Sequence, residues 1–197
     1  MEAHFDRWFP SQAAAALFIV ASCLWAAFEL YNTLGTRRFL LPSAQRRDRG
    51  SYWIVSLAVW GSVTIALLIR RFDLGSFHGD IQYIGLAAMM AGIALREWSV
   101  FTLGRRFSVA VTTHPSQTLV TCGPYRRLRH PAYSGTILTL AGFSLTLGSW
   151  AAVPLILVIA FSGFLYRVRI EERALLQAFG SEYQEYMQHT WRFMPGF

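Results

Sequence analysis

Apolar residues gather in five runs along this chain, at 12–31, 52–69, 81–95, 133–147 and 150–166, with polar and charged residues between them. A helix needs about 20 apolar residues to cross a bilayer, within a usual range of roughly 17–25. The first two runs and the last meet or approach that length. The third reaches it only by continuing through Arg96 and Glu97 towards Leu103. The fourth and fifth are separated only by Gly148 and Ser149, which predicts a tight helical hairpin. A single long kinked helix competes with the hairpin, and Pro154 near its middle would interrupt the backbone hydrogen bonding. The pattern predicts an all-α integral membrane protein of about five transmembrane helices, followed by a cytoplasmic C-terminal helical segment.

Composition agrees with the pattern. Of 197 residues, 54% are hydrophobic and 15% charged, where a soluble domain carries about 25% charged residues. The first run reads as a permanent span: it lacks a basic leader, follows Glu2 and Asp6, and exceeds the length of a signal core. No lipidation signature closes the chain, which ends in Met-Pro-Gly-Phe. With no repeats and no long linker, one membrane domain over 1–197 is the expected organisation.

All 18 basic residues are arginines. Arg37, Arg38, Arg46, Arg47 and Arg49 lie between the first two runs. Arg96, Arg105, Arg106, Arg126, Arg127 and Arg129 lie between the third and fourth, and Arg167, Arg169, Arg173 and Arg192 follow the fifth. Only Arg7, Arg70 and Arg71 fall on the other side. Short Arg-rich loops stay cytoplasmic, so the N-terminus is expected outside and the C-terminus inside, in a prokaryotic inner membrane or, for a eukaryotic chain, the endoplasmic reticulum. The net charge of +7 then reads as topology plus attraction to anionic membrane lipid. Divided among membrane loops, these arginines form no nucleic-acid-binding face. Cys23 and Cys122 suggest no disulfide, and no His/Cys spacing suggests a metal site.

Chemistry concentrates in two segments. The first, 123–135, reads GPYRRLRHPAYSG. Gly123-Pro124 signals a turn, and Pro131 suits the first turn of a helix that holds His130 at its mouth. Free backbone N–H groups there would suit an anion, and Gly135 lets a ligand or another helix approach closely. Phosphate contact with membrane lipid by Arg126, Arg127, Arg129 and His130 is the competing reading. In the second segment, after the fifth run, Arg167, Glu171, Ala174, Leu175 and Ala178 share a helical face. Arg167 and Glu171 are spaced to pair. Glu172 points about 100° away, so one carboxylate is left for a ligand and the other for solvent or Arg169. The alternative is an ordinary ion-paired helix at the membrane surface. Gly180 suits a helix stop, and Ser181 with Gln184 a capping box. Arg96 either snorkels or binds a carboxylate. Glu29 reads as a helix-end residue, and His78 and His189 have no companions at a useful spacing.

Together, LVTCGPYRRLRHPAYSG, EERALLQAFGSEYQEY and ALREWSVFTLGRRFSVAV resemble the isoprenylcysteine carboxyl methyltransferase family and its relatives among phospholipid methyltransferases. The resemblance covers roughly 81–195, a methyltransferase-like core following two spans in 1–80 that match it only in hydropathy. It implies an S-adenosylmethionine-dependent methyltransferase acting on a lipophilic small-molecule acceptor such as an isoprenylcysteine carboxylate. It further implies a cytosolic cofactor pocket formed by Tyr125, His130, Pro131, Tyr133 and Gly135 with Glu171 or Glu172. Arg96 would hold a substrate carboxylate, and Arg167 and Glu171 would complete the reacting centre.

The chain carries only two glutamates after Ile170 and has fewer spans than longer members, so the acceptor stays open among prenylated thiols, phospholipid amines, small thiols and isoprenoids. A carboxylate acceptor needs no general base, whereas an amine or thiol does, and Glu171 is the candidate. Two other readings compete. An NADPH-dependent membrane reductase would use the Arg cluster for a phosphate. A noncatalytic lipid-binding or transport protein would need polar residues along spans that nearly lack them.

Overall fold

The computed structural model describes residues 8–39, 45–46, 50–104, 112–113 and 118–196. Seven segments carry the architecture: α1 (Gln12–Phe39), α2 (Ser51–Arg71), α3 (Ile81–Leu103), a 3-10 turn (Gly123–Arg126), α4 (Pro131–Thr146), α5 (Ala152–Phe179) and α6 (Ser181–Gln188). A two-residue antiparallel pair joins β1 (Gln45–Arg46) to β2 (Thr112–Thr113). Arg7, Arg47, Arg49, Arg105 and Arg106, used above for orientation, lie outside the described residues.

Among the described residues, four helices are long and apolar enough to cross a membrane: α1 over Gln12–Leu34, α2, α3 and α5. The third run does continue through Arg96 and Glu97, because both charges find partners on α1. Asn32 Nδ2 donates to Glu97 at 3.2 Å, and Arg96 holds Glu29. The fourth run becomes α4, which at 16 residues is shorter than the others. It is a separate helix, so the single kinked helix is ruled out. Gly148 takes φ +73° in the link, and Pro154 falls in the first turn of α5, where its missing N–H is harmless.

Packing between α3 and α4 is unusually close because glycines face across the seam. A Cβ built on Gly92 would lie 2.5 Å from the Thr139 backbone nitrogen, and one on Gly135 2.7 Å from that of Arg96. Small residues permit such backbone approach between apolar helices, where van der Waals contact must replace the hydrophobic drive. The hydroxyls of Thr136, Thr139, Ser144 and Thr146 are buried on α4, and each donates to the carbonyl four residues earlier, at 2.7–3.1 Å. Their polarity is thereby satisfied without water.

The two ends of the bundle differ in chemistry. At one end the loop after α2 folds beneath the α4–α5 hairpin: Phe77 N donates to Gly148 O at 2.8 Å, and Ser149 Oγ to Leu74 O at 3.1 Å. Arg70 is buried there, bonded to Asp73 (2.5 Å) and 3.3 Å from His78 Nε2, a companion that spacing did not reveal. Gln82 ties this end to the N-terminal segment through Trp8 O and to Thr146 O. At the other end lie the start of α2, the inner half of α1, the last turns of α3, the mouth of α4, the end of α5, and α6. Here Gly180 turns the chain at φ +54° and itself caps α6 with no side-chain bond. The expected Ser181–Gln184 capping box is therefore absent, since Ser181 already lies inside the helix.

Gly92→Ala places its new methyl group against backbone that cannot retreat without parting the helices. Overpacking of this kind costs about 1–3 kcal/mol. Thermal unfolding in a fixed detergent is expected to report a lowered midpoint for Gly92→Ala and an unchanged one for Gly61→Ala, whose added Cβ meets nothing within 4 Å.

Candidate active site

The GPYRRLRHP segment is held rigid by the C-terminal tail. Arg129 N donates to Trp191 O at 2.7 Å, His130 N to Arg192 O at 3.1 Å, and Trp191 N returns to Arg127 O at 3.0 Å. Ser134 Oγ donates to Phe193 O at 2.6 Å. Tyr186 Oη donates to Tyr125 O at 2.7 Å, and burial pushes its phenol up to about 12, so it stays a donor at neutral pH. Tyr125 and Tyr183 are buried and raised further, by desolvation first, then by the field of Glu171 on Tyr125 and of Glu172 on Tyr183.

Both glutamates after Ile170 are engaged, in different ways. Glu172 is buried and gathers three basic groups. Arg192 donates to both its oxygens at 3.2 and 2.7 Å, Arg129 Nε donates at 3.1 Å, and His130 Nε2 lies 3.4 Å away. It faces neither solvent nor Arg169. Glu171 accepts from Tyr133 Oη at 2.7 Å, and its side chain remains 30% exposed. Arg167 Nε donates to the same Tyr133 oxygen at 3.3 Å and sits 3.9 Å from Glu171, while Nη1 donates to Ser51 Oγ on α2 at 2.8 Å. The Tyr133 ring lies between His130 (centroids 5.6 Å apart, 8° between planes) and Phe164 (4.9 Å).

A cavity of about 450 Å³ opens beside this cluster. Arg96, Arg167 and Tyr133 form its polar end together with Glu29, and Val55, Val59, Trp60 and Phe164 contribute apolar walls. Trp60 stacks on Trp25 of α1, centroids 6.1 Å apart. The cavity is therefore amphiphilic, with the charges of Glu29, Arg96 and Arg167 set among mostly apolar side chains of α1, α2 and α5. Such a volume falls within the range of small-molecule sites, roughly 300–1,000 Å³.

The structure brings Arg96, Tyr133 and Arg167 to one cavity, with Glu171 bonded directly behind Tyr133. His130 and Glu172 lie in the adjoining layer, and Tyr125 is buried in the 3-10 turn. Pro131 opens α4 as expected. At Gly135 the close neighbour is α3, by its Arg96 backbone. At the mouth of α4, Tyr133 N and Ser134 N turn back to His130 O. Glu29, read from the sequence as a helix-end residue, lies inside α1 and pairs with Arg96, and the sequence did not point to Ser51 or to the Glu172-binding role of Arg192. Glu29 did carry a signal, since an ionisable residue within a span marks a partner or a functional site. Ser51 and Arg192 carried none, because only folding brings them to the end of α5.

An apolar helical bundle with a buried, charge-lined cavity at one end is the architecture of a multi-pass membrane enzyme. The isoprenylcysteine carboxyl methyltransferase (ICMT) family pattern matches residues 84–177. The probable protein-S-isoprenylcysteine O-methyltransferase of Oryza sativa subsp. indica is 32% identical over 189 residues, 94% of this chain and 97% of the rice protein. Protein-S-isoprenylcysteine O-methyltransferase B of Arabidopsis thaliana is 33% identical over 115 residues, 57% of this chain and 58% of its own. Among solved structures, the eukaryotic intramembrane Ras methyltransferase ICMT superposes with a TM-score of 0.60 at 26% identity, covering 72% of this chain and 52% of that one. This chain thus spans about half of the solved enzyme. It belongs to the ICMT family and is a membrane methyltransferase, which sets aside the reductase and lipid-carrier readings. The rice alignment reaches almost the whole chain, so the likeness of the first two spans goes beyond hydropathy.

Removing the charge of Glu172 strands Arg129 and Arg192 around a buried neutral group. Breaking a buried ion pair from one side costs about 3–5 kcal/mol. Glu172→Gln is expected to lower the unfolding midpoint and to speed hydrogen exchange across 189–196. Glu171→Gln, whose amide oxygen can still accept from Tyr133, should stay within about 1 kcal/mol of the parent. Equal effects would mean that the tail is held by something other than Glu172.

Proposed function

We propose that this enzyme transfers a methyl group from S-adenosylmethionine to the carboxylate of an isoprenylcysteine-like acceptor, esterifying it at the cytosolic face of the membrane. One observation carries the reading: two arginines line a cavity whose other walls are mostly apolar, from Ala26, Leu30, Val55, Val59, Trp60 and Phe164 of α1, α2 and α5. That is the complement of a molecule with a hydrocarbon tail and an anionic head. The relatives are named for protein-borne isoprenylcysteine. The tail and the carboxylate are the parts such a substrate shares with a free lipophilic acceptor.

The layer behind Tyr133 suits the donor. Glu171 is a partly exposed carboxylate able to face a cation, and Tyr183 buries a hydroxyl that has no hydrogen-bond partner among the described residues. An unsatisfied buried hydroxyl is costly and is relieved by a polar ligand. Tyr125, His130, Pro131, Tyr133, Gly135, Glu171 and Glu172 would shape that pocket, and the bound sulfonium would supply an activated methyl group. The protein's task is alignment, since in-line displacement gains chiefly from proximity. An acceptor carboxylate is ionised at neutral pH and asks for no base. Arg96 and Arg167 would hold it with its oxygen turned towards Tyr133, and the apolar walls would keep water from the reacting groups.

Residues 81–197 form the transferring core in this reading, and 1–80 wall the lipid side within one membrane domain. Short Arg-rich loops favour a cytoplasmic C-terminus and an external N-terminus, in a prokaryotic inner membrane or the endoplasmic reticulum. Reporter fusions active only in the cytoplasm are expected to give signal after Phe197 and none before Met1.

Radiolabelled donor with purified protein and an S-prenylcysteine is expected to yield a product whose label alkali releases as methanol, the signature of an ester. Alkali-stable label on an amine or thiol would overturn the carboxylate reading. Arg96→Lys, which cannot reproduce a two-bond grip, should retain donor binding and lose at least tenfold in turnover. His130→Ala or Tyr133→Ala should weaken donor binding by about 1–3 kcal/mol, read by calorimetry.

A further inference from the structure

The fork of Arg96 already holds a carboxylate, and it belongs to the chain itself. Arg96 Nη2 donates to Glu29 Oε2 at 2.6 Å and Nε donates to Glu29 Oε1. Both side chains line the cavity, with Arg96 11% and Glu29 20% exposed. Two parallel N–H···O bonds are the geometry by which a guanidinium holds any free carboxylate.

We propose that Glu29 is a built-in stand-in for the acceptor's carboxylate: it occupies Arg96 in the resting enzyme, yields to an incoming carboxylate, and returns once that group has become an uncharged ester. The proposal rests on the reading that the acceptor reacts through a carboxylate.

Three observations support it. Among the described residues, the charged side chains lining the cavity are Glu29, Arg96 and Arg167, one negative and two positive. With Glu29 on Arg96, an arriving carboxylate meets Arg167 but lies beside a like charge. With Glu29 swung aside, it meets both arginines. Second, Glu29 is not what fastens α1 to α3. Asn32 grips Glu97 with both oxygens in range, at 3.2 and 3.4 Å, and Ser11 Oγ lies 3.1 Å from Tyr83 Oη at the opposite end. Releasing Arg96 therefore leaves α1 tethered. Third, Arg96 lies within the family match at 84–177 and Glu29 lies outside it, so the competitor comes from the part of the chain that walls the lipid side.

The physical consequence is a threshold and an exit. A fork free for a tenth of the time weakens apparent acceptor affinity about tenfold. That tax falls on the substrate, which can displace Glu29, and bars the ester product, which has no charge to compete with. A buried guanidinium is never left unpaired during the exchange, which would otherwise be costly.

Initial rates against the concentration of an N-acetylated S-prenylcysteine, with its methyl ester as inhibitor, test this on the full-length protein in lipid nanodiscs. In Glu29→Gln the acceptor KM should fall about tenfold and the methyl ester should inhibit several-fold more strongly. An N-acetylated S-prenylcysteamine, which has no carboxyl-derived group to reach Arg96, should change its inhibition constant less than twofold. Glu29→Asp, whose shorter side chain draws the charge back from Arg96, should move both constants the same way to a smaller extent, and serves if Glu29→Gln does not fold. A raised KM, or an unchanged KM with lowered kcat, would overturn the proposal and make Glu29 a positioning residue for Arg96. Failure of the parent enzyme to methylate the carboxylate would instead overturn the reading on which the proposal rests, and is visible before any variant is made.

Discussion

Glu172 is the charge on which the working end of this protein depends. It lies near the end of α5, yet its partners come from the turn before α4 and from the C-terminal tail: Arg129, His130 and Arg192. Three segments distant in sequence are thereby fastened by one carboxylate. Taking that many ionisable groups out of water is tolerable only when each is paired and the remaining hydrogen bonds are made. The backbone bonds from Arg129 and His130 to the tail supply the rest. Once this knot is closed, the mouth of α4 has one position relative to α5, and Tyr133, one turn further, is set between His130 and Phe164.

Close approach of α3 to α4 converts that local order into a cavity. Glycines at 92 and 135 let the backbones come together, which brings Arg96 of α3 to the same wall as Tyr133 of α4. Arg167 reaches that wall from α5 and is held by Ser51 at the start of α2. The first two helices then complete the enclosure with Glu29, Val55, Val59 and Trp60. The division of labour is physical. Helices α3, α4 and α5 set Arg96, Tyr133 and Arg167, and α1 and α2 supply apolar surface together with the one carboxylate that pairs with Arg96.

The opposite end has its own polar lock, with Arg70, Asp73 and His78 beside the loop beneath the hairpin. Trp8 lies under the Arg70 guanidinium, 5.5 Å from it to the ring centroid. The bonds of Phe77 to Gly148, of Ser149 to Leu74 and of Gln82 to Thr146 tie the far ends of α2, α3 and α4 together beside it.

Much of this was legible in the chain. Apolar runs of spanning length dictate helices, because a backbone in lipid must satisfy its own hydrogen bonds, and the Gly-Pro and His-Pro breaks mark where α4 begins. The pairing of Arg167 with Glu171 follows from helical spacing alone. What the residues could not say is which partner each charge chooses across the bundle. Glu172 was suited to a ligand, to solvent or to Arg169, yet it is buried among Arg129, His130 and Arg192. Arg96 was equally suited to snorkelling or to a ligand, yet it holds Glu29. Ser181 was a plausible cap, but the turn at Gly180 left it nothing to cap. Helical periodicity is a local property and is written in order along the chain. Ion pairing between helices depends on which faces packing brings together, and in this protein the glycine seam of α3 and α4 and the docking of the C-terminal tail make that choice.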